Sequence, residues 1–249
     1  MAIPLRQAPL PPDYPPPSGP GRGIRPIQHW SVTTWLIVIN TAVFVLDEVA
    51  FDSKLKLLGY FSRYAAIDHL QFWRFITFQF LHADLGHLIF NMISLYSFGK
   101  FVEAVLGRVR YFAFYLICGV AGAAGYLLLA QLQVLVSSPF VPMVGASAGV
   151  FGVLIGAARV APNLQMQLLF PPVVMNIRTM AWCFVGIAVI TIATQMRNAG
   201  GEAAHLGGAA MGALLISNPG LLKVFAPRPK KQSQFWKPGD PPSKFFREE

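Results

Sequence analysis

The sequence feature that most restricts the fold is the recurrence of apolar stretches that match the thickness of a bilayer. A hydrocarbon core of about 30 Å is crossed by about 20 helical residues. Six candidate spans occur, at about 30–50, 84–105, 111–131, 144–161, 179–196 and 203–218. Only 12% of the residues are charged, against roughly 25% in an ordinary soluble domain. The pattern predicts an all-α, multi-pass integral membrane protein with six transmembrane helices.

The segments that flank the spans differ from them in composition. Residues 1–29 are rich in proline, which predicts a disordered arm, and they lack the apolar core of a cleavable signal peptide. Residues 30–218 form the predicted membrane domain. Residues 219–249 form a basic tail, in which seven of the chain's 20 Lys and Arg residues follow Leu222.

The net charge of +9 does not indicate nucleic-acid binding, because the basic residues form no face with interleaved aromatic side chains. Basic loops instead favour the cytoplasmic side, and a basic tail can also contact anionic lipids. The turn at Arg108 and Arg110 is basic, whereas the loop 132–143 has no Lys or Arg. Long loops follow this rule poorly, so four basic residues in the first loop, 51–83, carry less weight. We therefore expect both termini in the cytoplasm, with the lipid bilayer as partner.

With that topology, spans two, four and six all run from outside to inside. Their first residues consequently share one leaflet. Those residues include four polar groups: His87 and Asn91 in span two, Ser147 in the first turn of span four, and His205 in the first turn of span six. Polar groups within spans cost free energy and need a reason, although hydrogen bonding between helices is one such reason.

A serine and a histidine among small residues form a candidate catalytic pair. Gly145 precedes Ser147 by two residues, and Gly208 and Gly212 follow His205 on one helix face. Glycines of this kind are common at helix contacts in membranes, which alone explains them. They also let spans four and six approach closely, so that the His205 imidazole could reach Ser147. This pair would be a nucleophile with its general base.

Further residues could support serine attack. His87 and Asn91 are four apart and can both donate hydrogen bonds to an oxyanion, as can the Ser147 amide. Phe151, one turn below Ser147, could stack on His205 and orient it. Neither Asp84 nor Glu202 has a spacing that argues for an orienting acid, so we expect a dyad without a carboxylate.

These residues together resemble the rhomboid family of intramembrane serine proteases over about residues 30–218. The resemblance rests on five ordered motifs: Trp73-Arg74; His82, His87 and Asn91; Gly99, Glu103 and Gly107; Gly145-Ala146-Ser147; and His205, Gly208 and Gly212. Ala148 departs from the pattern, because the family commonly has glycine after the serine.

The resemblance implies a six-helix rhomboid-type bundle that cleaves the transmembrane segments of other proteins without metal or cofactor. It implies a Ser147–His205 dyad and an oxyanion site from His87, Asn91 and the Ser147 amide, with His82 as a further oxyanion-stabilising residue. Glu103 would be structural, and we expect Trp73 and Arg74 to matter for stability more than for chemistry. A bacterial inner membrane is the predicted location.

Three other functions compete with this interpretation. An inactive relative that escorts membrane clients would lack the serine or the histidine, and this chain keeps both. A channel or transporter would show charged residues in mid-span, whereas the polar cluster here stays in one leaflet. A metal site from His82, His87 and His205 has the usual ligand type, but no carboxylate or cysteine is clearly placed with these histidines.

Overall fold

The computed structural model describes residues 30–168 and 172–225. The predicted proline-rich arm, residues 1–29, and most of the predicted basic tail, residues 226–249, lie outside the described residues. The first residues of the tail, Pro219–Phe225, form a 3-10 helix.

The described part of the chain is mostly helical. Its α-helices are α1 (Val32–Val49), α2 (Lys54–Gly59), α3 (Arg74–Thr77), α4 (Leu85–Leu106), α5 (Arg108–Gln131), α6 (Ser147–Val160), α7 (Ile177–Ala193) and α8 (Ala199–Ser217). The six longest correspond to the six predicted spans. A short π-helix (Tyr64–Asp68) and a 3-10 turn (Phe78–Phe80) complete the first loop.

Two details differ from the sequence prediction. The strands β1 (Gln165–Gln167) and β2 (Val174–Asn176) pair antiparallel between α6 and α7, so the chain is not entirely α-helical. Strands of three residues are too short to leave a periodic pattern. Helix α8 begins at Ala199 rather than at the predicted 203, and His205 therefore lies in its second turn rather than in its first.

Several helices are long and apolar enough to cross a bilayer. Among the described residues, α1, α4 and α5 meet both conditions, and α8 with the 3-10 helix Pro219–Phe225, bent by 89°, makes a possible fourth span. Helices α6 and α7 are apolar but shorter, with 14 and 17 residues. These helices fit an integral membrane protein, while the count of six spans stays a prediction.

The centre of the bundle is helix α6, which packs between α4, α5 and α8. Its residues are small and apolar on nearly every side, as expected of a helix buried by its neighbours. The approach of α8 is close enough to exclude side chains. A Cβ atom added to Gly212 would lie 2.5 Å from the Cα of Gly152. Small residues thus set the distance between α6 and α8.

The N-terminus of α1 is held by a carboxylate from α4. Glu103 accepts hydrogen bonds from the backbone N–H groups of Val32 (2.7 Å) and Thr33 (3.0 Å) and from the Thr33 hydroxyl (2.8 Å). The first N–H groups of a helix have no partner within it, so an acceptor here satisfies them. This contact joins the first and second long helices at one end of the bundle.

The first loop, residues 50–84, is folded around an arginine. The Arg74 guanidinium donates to the carbonyls of Tyr60 (2.6 Å) and Leu57 (3.2 Å) and to the Gln71 side chain (2.6 Å). The loop then reaches the segment before α6, since Phe61 and Met143 exchange backbone hydrogen bonds at 2.9 and 2.7 Å. The loop therefore positions the chain that leads into Ser147.

Candidate active site

Ser147 and His205 face each other across the contact between α6 and α8. Ser147 is the first residue of α6. Its Oγ lies 2.7 Å from Nε2 of His205, which is hydrogen-bonding distance. Two residues that are 58 positions apart in the sequence are thus close enough for one to take a proton from the other, as a base does from a nucleophile.

Glycines explain why the two side chains can meet. A Cβ atom at Gly208 would overlap the carbonyl oxygen of Ala148, the residue after the serine. On the other side of α8, a Cβ atom at Gly207 would lie 2.6 Å from the carbonyl oxygen of Ala121 in α5. Helix α8 is therefore held between α5 and α6 by backbone contact, one turn below His205.

The imidazole of His205 is stacked on an aromatic ring. Phe151 lies one turn below Ser147, and its ring is 4.2 Å from the imidazole centroid with an interplanar angle of 11°. Phe184 of α7 meets the ring of Phe151 edge-on, with centroids 6.3 Å apart. The stacking expected from the sequence is present, and it restrains the plane of the imidazole.

A carboxylate also contacts His205, contrary to the expectation of a pair without an acid. Oε2 of Glu202 lies 2.8 Å from Nδ1 of the imidazole. The sequence contains the signal for this contact, since residues three apart on a helix are neighbours. The predicted span six starts at 203, which leaves Glu202 outside the helix and explains why the sequence analysis misses this contact.

His87 presents a ring N–H to Gly145, two residues before the serine. Its Nδ1 accepts from the backbone N–H of Ala83 at 3.4 Å, so in the neutral ring Nε2 carries the hydrogen. A Cβ atom at Gly145 would lie 2.8 Å from this Nε2, and Gly145 has φ +131°. Glycine is thus required at Gly145 by both space and backbone conformation.

Asn91 lies one turn further along α4. Its side-chain amide donates to the carbonyl of His87 at 2.9 Å. An amide has two N–H groups, so the second can serve another acceptor. The first turn of α4 is capped by Asp84, which accepts from the His87 N–H at 2.8 Å. Asp84 therefore acts on the helix end rather than on His205.

His82 lies beside His87, outside the described lining of the cavity. It is fully buried, and its ring lies 5.1 Å from that of His87, edge to face. Burial, with a smaller effect of His87, lowers the pKa of His82 from 6.5 to about 3. The described cavity lining includes His87 but not His82. A role for His82 in the oxyanion site stays a prediction.

The candidate catalytic residues line a cavity of about 800 Å³. Its lining includes Ser147, His205, His87 and Asn91, together with parts of the loops before α6 and before α8. Gln195 ties these two loops together, because its side chain accepts from the Val136 N–H at 3.0 Å and donates to the Val134 carbonyl at 2.6 Å. Sequence reasoning gave no signal for Gln195, whose partners are distant along the chain.

The remaining predicted residues lie away from the cavity. Arg74 is buried within the first loop, and Trp73 is exposed, with its indole N–H donating to the Leu58 carbonyl at 3.3 Å. Glu103 lies at the opposite end of α4 from His87. Among the described residues, no group of three or more His, Cys, Asp or Glu side chains could hold a metal ion.

The fold and the site together define a helical membrane protein with a serine–histidine pair at one end of its bundle. The sequence profile of the rhomboid domain matches residues 69–217. The chain belongs to the rhomboid family, a family of intramembrane proteases, and the resemblance drawn from the motifs is confirmed.

Relatives occur in both organelles and bacteria. Over 73% of this chain, the sequence is 28% identical to the chloroplastic rhomboid-like protein 11 of Arabidopsis thaliana. Over 72% of this chain, it is 30% identical to the mitochondrial rhomboid protein 1 of Saccharomyces cerevisiae. These matches cover 63% and 50% of the two relatives, so the chain spans less than two thirds of their length. The rhomboid protease GlpG of Haemophilus influenzae is 26% identical over 74% of this chain and 88% of its own.

Proposed function

We propose that this chain is an intramembrane serine endopeptidase that hydrolyses peptide bonds in or near the transmembrane segments of other membrane proteins. The observation that carries the proposal is the 2.7 Å contact between Ser147 Oγ and His205 Nε2 at the wall of a cavity of about 800 Å³. Membership of the rhomboid family supports the same activity.

The proposed reaction begins with proton transfer. His205 Nε2 accepts the hydroxyl proton as Ser147 Oγ attacks the carbonyl carbon of the scissile bond, which forms a tetrahedral oxyanion. The imidazolium then gives its proton to the departing amine as the C–N bond breaks, leaving an acyl-serine. A water molecule, deprotonated by His205, attacks the acyl-serine, and the imidazolium returns this proton to Ser147 Oγ as the C–O bond breaks and the carboxyl product leaves.

The oxyanion needs hydrogen-bond donors in place before the reaction, and removal of one such donor typically costs about 3 kcal/mol of transition-state stabilisation. We assign Nε2–H of His87, the second amide N–H of Asn91 and the backbone N–H of Ser147. Support comes from the position of the first two side chains on the cavity wall beside Ser147. Phe151 holds the plane of the base.

The proposal includes a topology. Six spans, with residues 30–218 as the membrane domain and both termini in the cytoplasm, would place Ser147 in the outer leaflet. Cysteines introduced at Ser137 and Arg110 test this arrangement with an impermeant thiol reagent in intact cells. Labelling only at 137 is expected, and labelling only at 110 would reverse the topology. The bacterial inner membrane stays a prediction, since the relatives include organelle proteins.

The decisive experiment uses a reporter with a single transmembrane helix and a serine-directed fluorophosphonate probe. Ser147→Ala and His205→Ala should each abolish cleavage and labelling. Ser97→Ala removes a hydroxyl on α4 outside the described cavity lining and serves as the control that keeps both. Cleavage by the Ser147→Ala protein would exclude the proposed chemistry. Reporter binding without cleavage by the unaltered chain would favour an inactive relative that escorts clients.

A further inference from the structure

Both ring nitrogens of His205 are engaged, although the proposed function uses only one. Nε2 contacts Ser147 Oγ at 2.7 Å, and Nδ1 contacts Glu202 Oε2 at 2.8 Å. We propose that Glu202 is a positioning residue that extends the serine–histidine pair to three groups, by fixing the tautomer of His205 and stabilising its cationic form. This inference rests on the proposed function.

The hydrogen-bonding capacity of a carboxylate fixes the tautomer. An ionised carboxylate can only accept hydrogen bonds, so Nδ1 of His205 must donate to Glu202. A neutral imidazole has one N–H, and Nε2 is then left with its lone pair. That lone pair faces Ser147 Oγ, whose hydroxyl donates to it. This is the protonation state that a general base requires.

Stacking on Phe151 cannot make this selection. A ring stacked on another stays stacked when it is flipped by 180° about its Cβ–Cγ bond, but the flip exchanges the positions of nitrogen and carbon atoms. The 11° angle between the two rings therefore restrains the plane of His205 and leaves two flipped orientations. Contact with Glu202 favours the orientation that places Nδ1 toward the carboxylate and Nε2 toward the serine.

The carboxylate also acts while the reaction proceeds. His205 becomes a cation when it takes the serine proton, and a charge-assisted hydrogen bond to a carboxylate is about twice as strong as a neutral one. The side chains of His205 and Glu202 are only 15% and 16% exposed. Solvent therefore screens their attraction less than that of a surface pair.

Glu202 has a simpler explanation, which is stabilisation of the helix. It lies in the first turn of α8, where an acidic residue typically contributes about 0.3–1 kcal/mol through the helix dipole. That role needs no contact with the imidazole. The described lining of the cavity includes Gly201 and His205 but not Glu202, so a direct role in substrate binding is not indicated.

The positioning role and the helix-stabilising role of Glu202 predict different effects of substitution on kcat and on the melting temperature. We expect Glu202→Gln, which keeps an acceptor oxygen without the charge, to lower kcat about tenfold, and Glu202→Ala to lower it about a hundredfold. KM should stay unchanged in both. A helix-stabilising role would lower the melting temperature of both variants and leave kcat intact, and that outcome would overturn the inference. Glu48→Gln, which removes an exposed carboxylate paired with Lys56, is the control and should keep wild-type kcat.

A second measurement does not depend on activity. Nitrogen NMR of the full chain in detergent, with ¹⁵N-labelled histidine, should report His205 protonated at Nδ1, and Glu202→Ala should shift it toward a mixture of tautomers. An unchanged spectrum would count against the inference.

Ser147→Ala separates the two proposals. If it is inert while Glu202→Ala has normal kcat, only the role of Glu202 fails, whereas cleavage by Ser147→Ala removes the proposed function itself.

Discussion

Two regions of the molecule are held together by opposite means. One is the contact between α6 and α8, and the other is the first loop, residues 50–84. In the helix contact, backbone meets backbone, because Gly208 lies against the Ala148 carbonyl and Gly212 against Gly152. In the loop, one long polar side chain reaches the backbone, since Arg74 donates to two carbonyls. The helix contact carries the candidate catalytic pair, and the loop supports the segment that leads into it.

This difference determines how each region can be damaged. A contact between backbones has no side chain to truncate, so it fails when atoms are added. A loop held by a buried guanidinium fails when atoms are removed, because its carbonyls then lose their donors. Substitutions in the two regions should therefore separate cleavage from stability.

The largest effect is expected from Gly208→Ala. The added methyl group would overlap the Ala148 carbonyl and push α8 away from α6, which separates His205 from Ser147. We expect loss of cleavage and at least about 3 kcal/mol of destabilisation, the upper part of the range for overpacking. Reporter cleavage and melting in detergent measure the two effects.

The matched control for this substitution is Gly186→Ala in α7. Apart from its chain neighbours and the nearby backbone of its own helix, no described atom lies within 4 Å of the position of its Cβ atom. Full activity is expected there, with up to about 1 kcal/mol of added stability from helix propensity. A Gly208→Ala protein as active as Gly186→Ala would show that the helices do not need their close contact.

The same comparison shows what the sequence could predict. The spacing of Gly208 and Gly212 predicted a close contact of spans four and six, and the structure has it. Glu202 was missed because the predicted span six starts at 203, one residue after it. Gln195 could not have been found, since its partners Val134 and Val136 are about 60 positions away and the side chain reaches them only in the folded chain. Local spacing predicts contacts within a helix or between periodic faces, but not contacts between loops.

A smaller effect, on stability alone, is expected from Arg74→Ala. The carbonyls of Tyr60 and Leu57 would lose their donor inside the loop, at a cost of about 3 kcal/mol for two hydrogen bonds to a charged group. The melting temperature should fall, while probe labelling of Ser147 at low temperature should persist. Arg63→Ala removes an exposed arginine of the same loop and should change neither. Loss of labelling in folded Arg74→Ala protein would give the loop a direct catalytic role.

A pH-dependent effect is expected from His82, which also belongs to the loop. Its pKa is lowered from 6.5 to about 3 by burial. As the pH falls through 6.5, the unfolded chain binds a proton that the folded chain does not, so the free energy of unfolding decreases until about pH 3. At pH 5 the loss is about 2 kcal/mol. His82→Gln cannot titrate and should lose that much less between pH 7.5 and pH 5, and parallel slopes for the two proteins would contradict this.

The smallest effect is expected from Ala148→Gly, which tests the helix contact by removing a methyl group from it. The Ala148 methyl is buried, and it fits because its neighbour in α5 is Gly122, where a Cβ atom would lie 2.5 Å from it. Restoring the family's glycine should leave cleavage unchanged and cost about 1 kcal/mol in helix propensity. Gly122→Ala adds a methyl at the same contact and should cost more. If Ala148→Gly instead raised kcat, the Ala148 methyl would be crowding Ser147. The methyl would then be keeping the helices further apart than the catalytic pair requires.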